Sequence, residues 1–442
     1  MVSRFAVPVR ALLALAAVLA ATPAAAQTLP EAVTRAIERF PELRITSARQ
    51  RATQEQIGQA RGPLYPSIDA SIGAGRETSD NNSTRATGSQ ASLTRREAEV
   101  TLTQLLFDGG QVNNDVRRSE ARAAAAGFEH ARAAEDVAQR TALAYFEVQR
   151  LRALAALAID NVAAHERTFY QIKLLADSGA GRQADATQAL SRLALAQSAL
   201  LAARAQARQA EVALQHLVGI EPGALSAAAP LADRLPRTLD AALERGAATH
   251  PGILAAQRSV EAALAERESV RGRLGPRLTL EAGATHQRNL DGLRGLNADQ
   301  FAMLRLRYNL FRGGADEARI REAEARVDET TAQLALTREE LARDLRGIWS
   351  TLELDRARLP ELEAHARATL GVVDAYRAQF RIGQRTLLDV LNAESERFNA
   401  RGSAVSAAFA IAGGEVRLLG ATGALLAALD IAVPGADVGQ KP

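Results

Sequence analysis

Side chains able to do chemistry are few in this chain, and they are scattered. There is no cysteine, which excludes disulfides, thiolate catalysis and cysteine metal sites. The histidines at 130, 165, 216, 250, 286 and 365 are too dispersed to form a ligand pair along one helix. No His-Glu-x-x-His zinc pattern and no Gly-x-x-x-x-Gly-Lys phosphate loop occurs. Each histidine reads as a surface or helix-packing residue, so neither catalysis nor a metal or cofactor is expected. The informative charges lie elsewhere. Asp69, Glu281, Arg305 and Arg307 alternate with aliphatic residues, as on the wetted face of a strand. Asp185 and Asp389 stand where helices begin, positions that the helix dipole favours for acids.

Composition narrows the setting. Hydrophobic residues make up 47% of the 442 residues but aromatics only 4%, so alanine and leucine carry the apolar fraction and favour long helices. The calculated pI is 9.5, yet the formal net charge is only +3. Basic residues are almost all arginine, interspersed with acids as on solvated helix faces, and no basic block marks a nucleic-acid surface. Residues 1–26 read as an export signal. Arg4 and Arg10 precede an apolar stretch from Ala11 to Ala21, and Ala24-Ala25-Ala26 offers a cleavage site before Gln27. Beyond it, no uninterrupted apolar run is long enough to predict a transmembrane helix.

The elements that position these charges occur twice. Residues 28–63 read as a helix interrupted at Pro41, followed by strands at 67–75 and 98–107 around an exposed loop at 76–97. A proline-free helix at 111–176, a tip at 177–183 and a helix at 184–218 complete the first repeat, 27–219. After a linker at 220–237 the plan restarts over 238–423. It has strands at 277–285 and 301–311 around a loop at 286–300, a long helix at 315–380, a tip at 381–386 and a helix at 387–419. Residues 424–442 read as a tail. Pro251 matches Pro41 and Pro276 matches Pro66 at an offset of 210. Leu106-Phe107-Asp108-Gly109-Gly110 matches Leu310-Phe311-Arg312-Gly313-Gly314 at an offset of 204, and Trp349 and Arg356 match Tyr145 and Arg152. Paired glycines suit a sharp exit from strand to helix because glycine tolerates positive φ.

Strands of this length and polarity cross a bilayer when tilted in a barrel, aliphatic side outward, with Asp69, Glu281, Arg305 and Arg307 facing the lumen. Four strands cannot close a barrel, and lipid tolerates no open edge. The chain is therefore expected to oligomerise with a strand number that is a multiple of four. Two chains give a barrel filled by side chains, whereas three leave a lumen.

Over nearly the whole mature chain this pattern resembles the TolC family of outer-membrane efflux and secretion channels. The resemblance rests on the duplicated plan, Pro66 and Pro276 before the strands, the Leu-Phe-x-Gly-Gly exits, and the tip Phe380-Arg381-Ile382-Gly383-Gln384-Arg385-Thr386-Leu387-Leu388-Asp389-Val390-Leu391-Asn392-Ala393. It implies a mixed α and β membrane protein, a homotrimer with a twelve-stranded transmembrane barrel continuous with a periplasmic helical barrel. It also implies docking to a periplasmic adaptor and to an inner-membrane ABC transporter or efflux pump. In the family the tips form the closed entrance, ringed by acidic side chains. Asp389 and Arg385 match such positions, and Asp185 is the first-repeat counterpart. Asn392 departs from the acidic residue often found there, which implies weaker cation blockage. Arg95 to Gly110 resembles the secretion branch, so the expected role is an exit duct for type I protein secretion. The alternatives are drug or metal efflux through the same channel, and a soluble periplasmic coiled-coil scaffold.

Overall fold

Thr28 and Pro41 set the first boundaries. Thr28 accepts a hydrogen bond from the Glu31 backbone at 3.4 Å while the Glu31 carboxylate accepts from the Thr28 N–H at 3.0 Å, a reciprocal cap. Pro41 cannot donate the N–H that would continue the helix, so one helix ends at Arg39 and another starts. The computed structural model describes residues 26–86 and 91–432. All but the last residue of the expected export signal, and residues 433–442 of the expected tail, lie outside the described residues.

In chain order the elements are α1 (Leu29–Arg39), α2 (Pro41–Arg61), β1 (Ser67–Ser79), α3 (Asn82–Ala86), β2 (Ala91–Phe107), α4 (Gln111–Asp177), α5 (Gln183–Val218), α6 (Leu239–Thr249), α7 (Pro251–Gly272), β3 (Arg277–Arg288), β4 (Leu296–Arg307), α8 (Ala315–Arg381), α9 (Leu387–Ala421) and α10 (Leu425–Ala428). α4 and α8 each have 67 residues, a length of roughly 100 Å. α8 continues through Pro360. The strands form one antiparallel sheet in the order β1-β2-β3-β4, with β2 and β3 joining the two halves of the chain.

Several boundaries differ from expectation. β1 runs to Ser79 and β2 starts at Ala91, so both ends of the stretch expected as a loop at 76–97 are strand. β3 extends to Arg288 and β4 begins at Leu296, shortening the expected loop at 286–300 in the same way. β4 stops at Arg307 rather than 311 because its partner starts at Arg277, which pairs with Arg307 and leaves nothing beyond. The linker at 220–237 is pinned, not loose. The Tyr145 hydroxyl lies 2.7 Å from the Gln27 carbonyl and 2.6 Å from that of Ser226. Arg152 donates to the carbonyls of Gly223 and Pro222 at 2.7 and 3.0 Å.

The start of the expected tail belongs to the main core. Leu425 and Leu426 are fully buried with Val137, Ala138 and Tyr145 of α4, Leu214 of α5 and Val33 of α1. α9 has the length and composition of a membrane span, contrary to the expectation that no such helix remains. Its apolar side chains point into the bundle, however: Val416 and Leu419 join the main core and Leu418 packs with Leu345 and Leu352 of α8.

Glu135 holds the C-terminal turn onto α4. Its carboxylate accepts from the backbone N–H groups of Leu425 and Leu426 at 3.2 and 3.4 Å. Burial pushes its pKa from 4.5 to about 7, against the lowering effect of those two donors. The folded state therefore holds this proton more tightly than the unfolded chain, and stability falls as pH rises from 4.5 to about 7. That dependence is worth about 3 kcal/mol at most. Glu135→Gln, which keeps one acceptor and cannot ionise, is expected to flatten melting temperature across this window in detergent. A variant as pH-dependent as the parent would refute the assignment to Glu135.

Candidate functional site at the sheet faces, the joints and the helix tips

Alternate residues of a strand face opposite sides, so the register fixes the two faces of the sheet. Asp69, Thr101 and Gly283 are mutual partners on one face, whereas Ile68, Leu102, Ala282 and Ala302 are partners on the other. On the first face Arg305 donates to Glu281 at 2.7 Å, with Arg307 at 3.9 Å. Asp69 shares this face by register. A second cluster on the same face, not foreseen because its residues fell in the expected loop, places Arg95 2.6 Å from Glu97 and 3.2 Å from Glu77. The opposite face carries Ile72, 89% exposed, with Leu304, Leu306, Ile68 and Val100 also exposed to solvent. No element among the described residues covers these side chains. Farther along the same face Arg76, Thr78, Arg96 and Arg288 replace the aliphatics, so the apolar surface is a band with a polar margin.

The four joint glycines all have positive φ: 71° at Gly109, 84° at Gly110, 62° at Gly313 and 82° at Gly314. At the first joint Asp108 accepts from the N–H groups of Gly110 and Val112 at 3.0 and 2.8 Å, capping α4 where the chain leaves the sheet. A bulge at Leu106 places Phe107 opposite Leu278, on the aliphatic face. Arg312 replaces Asp108 in the second joint and cannot accept a hydrogen bond. There Asp316 gathers Arg319 at 3.1 Å and Arg312 at 3.8 Å.

At the far end of the helices, Gly179 and Gly383 turn the two tips with φ of 78° and 77°. Ile172, Ala186 and Ala189 of the first tip pack with Leu387 and Leu391 of the second, so the tips form one unit. Asp389 is committed to its own helix. The Thr386 hydroxyl donates to it at 2.8 Å and the Thr386 N–H at 3.1 Å, and the hydroxyl bond is the main reason its pKa lies below the ordinary value. Arg385 makes no ion pair with Asp389. Its guanidinium lies over the Tyr376 ring at 4.2 Å and donates to Gln379 at 3.0 Å. Asn392 accepts from Arg192 at 3.3 Å, linking α5 to α9. Asp185 occupies the first turn of α5, half-buried beside the buried Ala186.

Sequence reasoning missed Arg192, Tyr376 and Gln379. It also missed Glu394, which is 3% exposed and gripped between Arg377 and Arg397. Glu394 stands in a run rich in polar residues, Asn392 to Asn399, so nothing local marked it as the buried one. Nothing local marks the partners of Arg385 and Asn392. Among the described residues no group of His, Cys, Asp or Glu could hold a metal ion.

The described residues therefore present an aliphatic band, a charged opposite face, glycine joints and two tips packed together, with no cluster that could hold a metal ion. The sequence model of the family described as outer membrane efflux protein matches residues 32–220 and 242–424. Outer membrane efflux protein BepC of Brucella suis biovar 1 (strain 1330) is 28% identical over 414 residues, covering 93% of this chain and 88% of that protein. Alkaline protease secretion protein AprF of Pseudomonas aeruginosa is 23% identical over 378 residues, covering 83% and 78%. The solved outer membrane protein VceC of Vibrio cholerae superposes with a TM-score of 0.78 at 21% identity, covering 90% of this chain and 96% of that one.

Proposed function

This chain belongs to the outer membrane efflux protein family, and from that premise we propose that three copies form the exit duct of a type I protein secretion machine. It is an outer-membrane channel protein of the TolC type and not an enzyme. The observation that carries the duct is the single sheet. Among the described residues it has an uncovered aliphatic face, a charged opposite face and two edge strands, β1 and β4, with no partner. Three such sheets edge to edge give twelve strands and a water-filled lumen. Asp69, Glu281, Arg305 and Arg307 then line the lumen and Ile68, Ile72 and Leu304 face lipid. α4 and α8 with α5 and α9 continue the wall as a periplasmic tube. The tips carrying Asp185, Arg385, Asp389 and Asn392 close its entrance and face the adaptor.

Secretion is favoured by the run from Arg95 to Gly110 and is compatible with the likeness to AprF. Drug or metal efflux through the same duct is the second reading, favoured by the likeness to BepC. The inner-membrane partner decides between them. Purification from chemically crosslinked membranes is expected to recover a periplasmic adaptor with an ABC transporter. Recovery of a proton-driven pump instead would overturn the secretion reading and leave the duct intact.

A further inference from the structure

We propose that the second joint is completed by a neighbouring copy: Gly313 and Ala315 of one chain seat against Gly62 of the next, as Gly109 and Gln111 seat against Gly272 within the chain. The proposal rests on assembly into a ring and names the contact that closes it. Within the chain the first joint is a contact between backbones. A side chain at Gly272 would lie 2.8 Å from the Gln111 nitrogen and 2.9 Å from the Gly109 carbonyl oxygen, and one at Gly109 would lie 2.5 Å from the Gly272 oxygen. Both positions are therefore closed to any residue but glycine.

The repeat supplies the counterparts. Gly62 matches Gly272 at the offset of 210, and Gly313 and Ala315 match Gly109 and Gln111 at 204. These offsets hold in three dimensions. Arg61–Glu120 at 2.6 Å recurs as Arg271–Glu324 at 2.9 Å, and Arg152–Glu211 at 2.7 Å recurs as Arg356–Glu415 at 2.8 Å. Yet around both Gly62 and Gly313 a side chain would meet no atom of the described residues within 4 Å. The two halves of the second joint are present, each without its mate.

The backbone at Gly62 is right-handed helical, with φ −46° and ψ −48°, so its own conformation does not require glycine. A neighbour absent from the single chain supplies the reason. The helices agree. α4 is flanked by α2 and α7, and α7 by α4 and α8, whereas α8 has no α2 on its far side. Of its 67 residues only Ala323, Leu345, Leu352, Thr369 and Val373 are buried. The occupant that the repeat specifies for that open side is α2 of a second copy.

The test uses the full-length exported protein, whose lack of cysteine makes disulfide mapping clean. Within the chain the Ser269 hydroxyl lies 2.8 Å from the Asp115 carboxylate. The counterparts across the new contact are Gln59 and Arg319. Gln59→Cys with Arg319→Cys is expected to give covalent dimers and trimers on oxidation, absent from either single variant. Ser269→Cys with Asp115→Cys is expected to close within one chain and leave its denatured mass unchanged. Gly62→Val is expected to lose assembly, whereas Gly58→Val retains it, because Glu268 already stands at the matching position. Failure of the Gln59–Arg319 pair to crosslink in a parent that assembles would overturn the joint. So would a Gly62→Val protein that assembles as well as Gly58→Val. A parent monomeric in native mass would instead defeat the ring itself, which separates the two ideas.

Discussion

Valine at both Gly109 and Gly110 is expected to leave no assembled barrel in the outer membrane. Both positions need left-handed backbone, which costs an L residue roughly 1–2 kcal/mol each and a β-branched one more. At Gly109 the added side chain also meets the Gly272 oxygen at 2.5 Å, a backbone atom that cannot rotate away. Relief would require α7 to separate from α4, and these two helices are held along their length by Ser269–Asp115 and Arg122–Glu266. The strain competes with a total folding stability on the order of 5–15 kcal/mol. Its second effect is geometric. Asp108 caps α4 only while Gly110 and Val112 present their N–H groups to it, so a changed turn loses the cap as well. The measurement is heat-modifiable migration of the membrane fraction, with Gly110→Ala as a milder comparison. A double valine variant that still assembles and conducts like the parent would show that the joint tolerates redirection.

Such joints were legible in the sequence because they are local and repeated. A glycine pair after a bulky aromatic announces a turn wherever it occurs, and its recurrence 204 residues later marks it as architecture. Pro41 and Pro251 were legible for the same reason, since proline acts on the helix that contains it. The outer halves of the strands were not. Arg76, Arg95 and Arg96 lie beyond the aliphatic band, where both faces of the sheet are polar, and there the alternation that identifies a strand disappears. β4 ended early for a reason located in its partner: pairing stops where β3 begins, at Arg277. The C-terminal turn was misjudged because Leu425 and Leu426 are few in number, and only their fit into the α1, α4 and α5 core gives them weight. At the tips, the candidate residues could be located but their partners could not. Arg192 and Asn392 are 200 positions apart.

Asp389→Ala combined with Arg385→Ala is expected to raise single-channel conductance in planar bilayers severalfold, and the geometry gives each residue a different part. The two side chains do not pair with each other. Asp389 fixes the first turn of α9 through Thr386, whereas Arg385 ties the end of α8 through Tyr376 and Gln379. Loss of both frees the tip at its two ends, which leaves Arg192–Asn392 as the polar link holding α5 to α9. Adding Arg192→Ala is therefore expected to increase conductance further. Charge and capping at Asp389 separate by pH and by isostere. Its pKa is lowered from 3.8, so its contribution is complete above that value and is lost only as pH falls through the lower folded value. The closed state should accordingly be insensitive to pH across the neutral range. Asp389→Asn keeps an acceptor for the cap and removes the charge. If the cap holds the entrance, Asn conducts like the parent and Ala does not, whereas equal opening by both assigns the effect to charge. Unchanged conductance in the double alanine variant, with unchanged antibiotic leakage in cells, would remove these residues from the entrance altogether.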